Sequence, residues 1–131
     1  MKFRYKSYGP GLLRPVIPIE IIFNNKSVYY EVLVDSGADS NIFSSEIADI
    51  LEIDLIKGDK ATVAGITGQS KPFYFHYLDI KIGGSLFKNV RIGFLKDIGG
   101  YAYGVVGQRG FFDIFIVKFD LLKKEIEIKS R

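Results

Sequence analysis

Short runs of β-branched and aromatic residues, separated by turn-forming residues, recur along most of this 131-residue chain. The clearest runs span 16–23, 28–34, 86–95, 115–120 and 125–128. Runs of this length, bounded by Asn, Gly or Asp, are typical of β-strands joined by turns. Helical signals are few: residues 44–51 carry capping hydroxyls and helically spaced apolar residues, and 110–116 is expected to form a second short helix. The sequence therefore predicts an all-β barrel or folded sheet with one or two short helices.

The length of the chain limits it to one domain with a modest core. Residues 1–14 are basic and aromatic and contain a Gly-Pro-Gly break, so we interpret them as an N-terminal arm, with the domain proper at 15–131. The arm lacks the apolar core of a signal peptide, and no apolar run of 18 residues follows. These features predict a cytoplasmic protein without membrane contact.

The composition excludes several kinds of chemistry. The chain has no cysteine and one histidine, so disulfides, thiolate sites and a multi-histidine metal site within one chain are excluded. We expect His76 to be a half-buried strand residue. The net charge of +3 is mild and its positive residues are mostly dispersed, which argues against a dedicated nucleic-acid surface. No metal and no cofactor are expected.

One stretch combines a buried strand with a carboxylate. Val32-Leu33-Val34 leads directly into Asp35, and Ser36-Gly37-Ala38 follows. An apolar run before an aspartate indicates a strand that delivers its last side chain to a cleft or sheet edge, and the small residues after it permit a sharp turn. A carboxylate beside an apolar strand needs a compensating role. The alternative is a structural aspartate in an Asx-type turn.

Two further elements follow in order. Extended segments on either side of Gly65-Ile66-Thr67-Gly68 predict a hairpin with a glycine-containing tip, which could bend over a neighbouring cleft. Val105-Val106-Gly107 is an apolar approach to a glycine later in the chain. A Gly-x-x-Gly loop also occurs in RNA-binding KH domains, but the flanking helices of that fold are not predicted here.

In this order the three elements resemble those of the retropepsin family, the single-domain aspartic proteases of retroviruses and their cellular and microbial relatives. The resemblance extends from about residue 16 to residue 128. It implies a retropepsin-like acid-protease barrel with one lobe per chain, no cofactor, and hydrolysis of peptide bonds in polypeptide substrates by a homodimer.

The resemblance also implies roles for individual residues. Asp35 matches the catalytic aspartate, and Ser36, Gly37 and Ala38 complete its active-site loop. The hydroxyl of Ser36 would join the hydrogen bonds that link the two active-site loops of the dimer. The residues matching substrate-binding positions are Asp39, Gly65, Ile66, Thr67, Gly68 and Val106, and Gly107 matches the glycine that supports the catalytic strand.

The sequence departs from the retroviral pattern in two places. Gln108 stands where many retroviral members have an arginine that pairs with the acid corresponding to Asp39, and Arg109 is the candidate replacement. The N-terminal arm is also longer than in the minimal retroviral pattern.

The chemistry of the family requires two carboxylates around one water, one ionised and one protonated. This chain has one Asp-Ser-Gly element, and Asp113 lacks the surrounding turn. A two-fold dimer supplies the second Asp35, so the monomer is expected to be inactive. The terminal segment Glu125-Ile126-Glu127-Ile128 is the first candidate for additional interface, as an unpaired strand edge.

Two hypotheses outside catalysis remain. The first is a catalytically silent retropepsin-like module that binds extended peptides by strand addition. The second is a small barrel that binds single-stranded nucleic acid through aromatic and lysine side chains, which would give a steep salt dependence of binding. The intact Asp35 element favours the protease over both.

Overall fold

The computed structural model of the chain describes residues 1–64, 70–96 and 103–131, with only the backbone described at Val63, Ala64 and Ser70. Twelve strands are described in these ranges. In chain order they are β1 (Lys2–Arg4), β2 (Lys6–Ser7), β3 (Leu13–Arg14), β4 (Val16–Phe23), β5 (Lys26–Val34), β6 (Ile42–Ser44), β7 (Asp59–Ala64), β8 (Ser70–Ile82), β9 (Ser85–Leu95), β10 (Gly104–Val106), β11 (Phe115–Asp120) and β12 (Glu125–Ser130).

Six of these strands close into a barrel. Their hydrogen-bonded order is β4-β5-β10-β6-β9-β8, and β8 returns to pair with β4 through Ile21 and Ile80. Alternate side chains of β4 point inward, so Ile17, Ile19 and Ile21 are at most 2% exposed. The predicted all-β barrel is confirmed.

The strand pairing that positions the candidate site joins β5 to β10, two strands far apart in the sequence. β5 and β10 run parallel, with Val32 opposite Gly104 and Val34 opposite Val106. β10 also pairs antiparallel with β6, which lies between β10 and β9 in the sheet. The ends of β5 and β10 therefore reach the same edge of the barrel side by side.

The expected helix at 44–51 is present as α1 (Ser45–Ile50). The Ser44 hydroxyl accepts a hydrogen bond from the Glu46 N–H at 3.2 Å, which caps its first turn. A short 3-10 turn, Leu55–Lys57, follows. Within the described ranges, no helix has the length and apolar character needed to span a bilayer.

The second expected helix, at 110–116, is wrong. Residues 110–114 form consecutive turns, and β11 begins at Phe115. Gly110 has a φ of +102°, which is far from the helical value, and its N–H donates to the Asp113 carboxylate across the turn. Phe111 and Phe115 are both 0% exposed, so the chain makes one tight turn to bury two rings and then extends.

A smaller sheet has the order β1-β12-β11. The expectation that Glu125–Ile128 is an unpaired edge is wrong, because β1 pairs with β12 from Lys2 to Arg4 on one side and β11 pairs with it on the other. The division into an arm at 1–14 and a domain at 15–131 stays a prediction.

The expected hairpin has described arms. β7 and β8 pair antiparallel from Asp59 opposite Phe75 to Ala64 opposite Ser70. Its expected tip, Gly65-Ile66-Thr67-Gly68, lies outside the described residues.

Candidate active site

Asp35 follows the last residue of β5, at the barrel edge where β5 and β10 end together. Its backbone N–H donates to the Val106 carbonyl at 3.0 Å, so the parallel pairing with β10 extends to the aspartate itself. The residue is half-buried. The strand therefore delivers the carboxylate to the barrel rim, as the sequence predicted.

The turn after Asp35 holds its carboxylate. The Gly37 N–H donates to Asp35 Oδ1 at 2.9 Å, and the Ala38 N–H donates to the Asp35 carbonyl at 3.1 Å. A Cβ built on Gly37 would lie 3.2 Å from Asp35 Oδ1, so a side chain here would crowd the carboxylate. The Asx-type turn considered as a purely structural alternative is therefore present, and it orients a half-buried carboxylate at the rim.

A second loop, after β10, packs directly against the first. The Gln108 N–H donates to the Ala38 carbonyl at 2.8 Å, and the Arg109 N–H donates to the Asp39 carbonyl at 3.0 Å. A Cβ on Gly107 would lie 2.5 Å from the Ala38 carbonyl oxygen, a distance that backbone atoms cannot accommodate without moving. Gly107 therefore permits the close approach of the two loops.

Asn41 is a buried polar residue that the sequence interpretation missed. It is 0% exposed, and both polar atoms of its amide are hydrogen-bonded: Oδ1 accepts from the Gly107 N–H at 3.0 Å, and Nδ2 donates to the Arg91 carbonyl at 3.0 Å. The side chain joins the end of the first loop to the second loop and to β9. An asparagine directly before the apolar Ile42-Phe43 was the only available signal.

Tyr30 supports the strands beneath the site. Its ring packs edge-on against Phe43, and a Cβ on Gly104 would lie 2.6 Å from it. Burial raises the pKa of Tyr30, and its hydroxyl oxygen accepts from the Ser44 N–H at 3.4 Å. The residue is a neutral buttress between β5, β6 and β10.

Several expected contacts have a different form. The Val106 side chain, expected to contact substrate, is instead 1% exposed and belongs to the barrel core; its carbonyl accepts from Asp35. Among the described residues, no ion pair joins Arg109 to Asp39, and the Ser36 hydroxyl makes no hydrogen bond. Asp39 is exposed and Ala38 half-buried.

Other polar candidates have structural contacts. Asp113 Oδ1 accepts from the Gly110 N–H at 3.0 Å. His76 is half-buried, as expected, and its Nε2 lies 2.9 Å from the Leu55 carbonyl oxygen. Within the part of the chain that the structure describes, no group of three or more His, Cys, Asp or Glu residues could hold a metal ion.

A six-stranded barrel with an Asp-Ser-Gly turn at its rim, braced by a glycine loop from a parallel strand, defines the single-lobe class of acid protease. The model of the family described as "Aspartyl protease" matches residues 17–109, which include both loops. The chain therefore belongs to the aspartyl protease family, and its fold is retropepsin-like.

Two solved structures show the same fold. A retropepsin-like aspartic protease from Rickettsia conorii is 22% identical, covers 98% of each chain and superposes with a TM-score of 0.68. The EIAV protease, solved with the inhibitor HBY-793, is also 22% identical, covers 79% of this chain and 88% of its own, and has a TM-score of 0.54. No curated protein matches the sequence.

Proposed function

We propose that this chain is an aspartic endopeptidase that acts as a homodimer, with Asp35 of each chain holding one attacking water. The observation that carries the proposal is the placement of Asp35. Its carboxylate lies at the barrel rim, oriented by the Gly37 N–H, on a turn that the Gly107 loop braces. Membership of the aspartyl protease family supports the same chemistry.

The dimer follows from the number of suitable carboxylates. Among the described residues, Asp35 alone combines an Asx-type turn with a place at the junction of β5 and β10. The Asp113 carboxylate accepts a hydrogen bond from the Gly110 N–H in a separate turn. Two-fold pairing brings a second Asp35 against the first without any further catalytic element.

The two carboxylates share one proton and divide the work of acid and base. The ionised carboxylate takes a proton from the water as the water oxygen bonds to the scissile carbonyl carbon, while the protonated carboxyl donates its proton to the carbonyl oxygen. In the second step the C–N bond breaks and the amine nitrogen takes a proton from the carboxyl that is now protonated. One hydroxyl group of the tetrahedral intermediate gives its proton to the other carboxylate, which leaves the carboxylic acid product. The pair ends with one shared proton, ready for another cycle.

The remaining site residues have proposed roles in binding. Gly37 and Asp39 present the backbone and a carboxylate on the substrate side of the active-site loop, beside Ala38. Gly65, Ile66, Thr67 and Gly68 lie outside the described residues, and we propose for them the substrate-binding role that the family resemblance implies. We propose that Gly107 supports the active-site loop. The Ser36 hydroxyl has no partner among the described residues of its own chain, which leaves it available to the partner loop. We also propose a cytoplasmic location.

The test compares the wild-type chain with Asp35→Asn on a peptide library. This nearly isosteric change keeps an acceptor for the Gly37 N–H but removes the titratable group, so we expect loss of hydrolysis with unchanged folding. The matched control is Asp113→Asn, which keeps an acceptor for the Gly110 N–H and should retain activity. Peptide binding without cleavage by the wild type would instead establish a catalytically silent peptide-binding module.

A further inference from the structure

Gln108 stands where many retroviral members have an arginine, but its side chain does not pair with Asp39 as that arginine would; it contacts the turn after Asp35 instead. Its Nε2 donates to the Ser36 carbonyl oxygen at 2.9 Å, across 72 residues of sequence. Its backbone N–H is used separately, in the 2.8 Å bond to the Ala38 carbonyl. The backbone bond fixes the position of residue 108, while the amide group reaches back to the catalytic turn.

The acceptor of this bond belongs to a peptide group that also contacts the catalytic carboxylate. The Ser36 carbonyl and the Gly37 N–H are the two ends of one planar peptide unit. One end accepts from Gln108, and the other donates to Asp35 Oδ1 at 2.9 Å. Because a trans peptide is rigid, fixing the carbonyl direction fixes the direction of the N–H. Each bond also polarises the peptide so that the other is strengthened.

We infer that Gln108 is a positioning residue for catalysis, which orients the Asp35 carboxylate through the peptide group between Ser36 and Gly37. The inference rests on the proposed protease function. Gln108 is exposed, and we infer that it acts by holding the one N–H that the turn directs at Asp35 Oδ1. A neutral amide supplies this donor without placing a second charge beside the carboxylate pair.

The first test substitutes Gln108→Glu and Gln108→Met and measures kcat against pH. Methionine has a similar length but no donor, so kcat should fall about five-fold at every pH, the effect of losing one hydrogen bond. Glutamate can donate only when it is protonated. The kcat of Gln108→Glu relative to wild type should therefore rise toward one as the pH falls through about 4.3, the ordinary pKa of a glutamate side chain. Above that range, carboxylate and carbonyl oxygen repel each other, and kcat should lie at or below that of Gln108→Met.

The control for net charge is Lys88→Gln, which lowers the net charge by one, as Gln108→Glu does, and changes an exposed residue of β9. Its kcat relative to wild type should be independent of pH. KM should change little in all three variants. The Gln108 amide contacts the Ser36 carbonyl of the turn and is not proposed to bind substrate, and neither is Lys88. A Gln108→Glu profile that parallels that of Lys88→Gln would overturn the inference, as would full activity of Gln108→Met.

A second measurement separates this inference from the proposed function. Gly37 is the residue whose amide proton should report the hydrogen-bond chain directly by NMR. In Gln108→Met this proton should exchange faster with solvent and its chemical shift should change, while the backbone N–H of residue 108 should stay protected by its bond to the Ala38 carbonyl. An inactive wild type with this NMR response would refute the protease proposal and retain the positioning contact; an unchanged Gly37 amide would refute the contact.

Discussion

The side-chain oxygen of Asn41 accepts a hydrogen bond from the backbone N–H of Gly107 at 3.0 Å, joining residues 66 positions apart. Asn41 lies just beyond the turn that follows Asp35, and Gly107 begins the loop that packs against this turn. The same asparagine donates to the Arg91 carbonyl on β9. One neutral, fully buried side chain therefore joins two loops and a barrel strand.

Asn41→Leu should destabilise the fold strongly. Leucine has a similar branched shape but leaves the Gly107 N–H and the Arg91 carbonyl unsatisfied in the interior, at a cost of about 2 to 4 kcal/mol in the free energy of unfolding. Urea unfolding measures this cost. Asn25→Leu, at an exposed turn position, is the control and should change stability by about 0.5 kcal/mol or less. Equal effects at both positions would show that Asn41 does not hold the loops.

Much of the fold could be predicted because its signals are local. The strand expected at 16–23 has the bounds of β4, since alternation and the Asn-Asn turn both lie within a dozen residues. The helix start at Ser44 was readable for the same reason. The turn at 110–114 was not, because the balance there depends on burying Phe111 and Phe115 in a core formed by distant strands.

The support of the candidate site was mostly hidden from the sequence. The resemblance predicted that Asp35 and Gly107 belong together, but the contacts between their loops use Asn41, Ala38 and Gln108, whose pairings depend on the parallel alignment of β5 with β10. Polarity alone does not distinguish a buried asparagine from an exposed one. Likewise, β12 became a central strand because the N-terminal β1 pairs with it, a contact without a local signal.

Gly107→Ala should impair both stability and activity. The added Cβ would meet the Ala38 carbonyl oxygen at 2.5 Å and the Ser40 carbonyl oxygen at 2.7 Å, so the loops must separate. Forced separation of packed backbone costs about 1 to 3 kcal/mol and displaces the Asp35 turn, so kcat should fall on the order of ten-fold or more. Thermal unfolding and kcat are the measurements.

The comparison for this variant is Gly11→Asn, because a Cβ on Gly11 meets nothing within 4 Å and asparagine tolerates the positive φ of 72°. This variant should keep kcat. If Gly107→Ala cleaves at the wild-type rate, the close approach of the loops does not position the catalytic group.

The pH dependence of cleavage should be bell-shaped with its maximum on the mildly acidic side. One carboxylate must be ionised and its twin protonated, so activity is lost when both are protonated at low pH and when both are ionised at high pH. Initial rates on one peptide across the pH range measure the profile, and EDTA should not alter it. A rate that climbs steadily into alkaline pH, or that is abolished by EDTA, would indicate a different chemistry.

Each chain supplies one Asp-Ser-Gly element, so the proposed chemistry requires two chains to assemble. If catalysis needs Asp35 from two chains, the rate should follow the square of the enzyme concentration well below the dimer dissociation constant and become linear above it. Mixing wild type with a nine-fold excess of Asp35→Asn should poison activity, because random pairing leaves only about one wild-type chain in ten with a wild-type partner. The same excess of Asp113→Asn should add activity instead, which controls for crowding and substrate competition. Sedimentation at the assay concentration completes the test. If the chain is strictly monomeric and cleaves peptides at a rate that added Asp35→Asn chains do not change, the second catalytic group must come from within one chain.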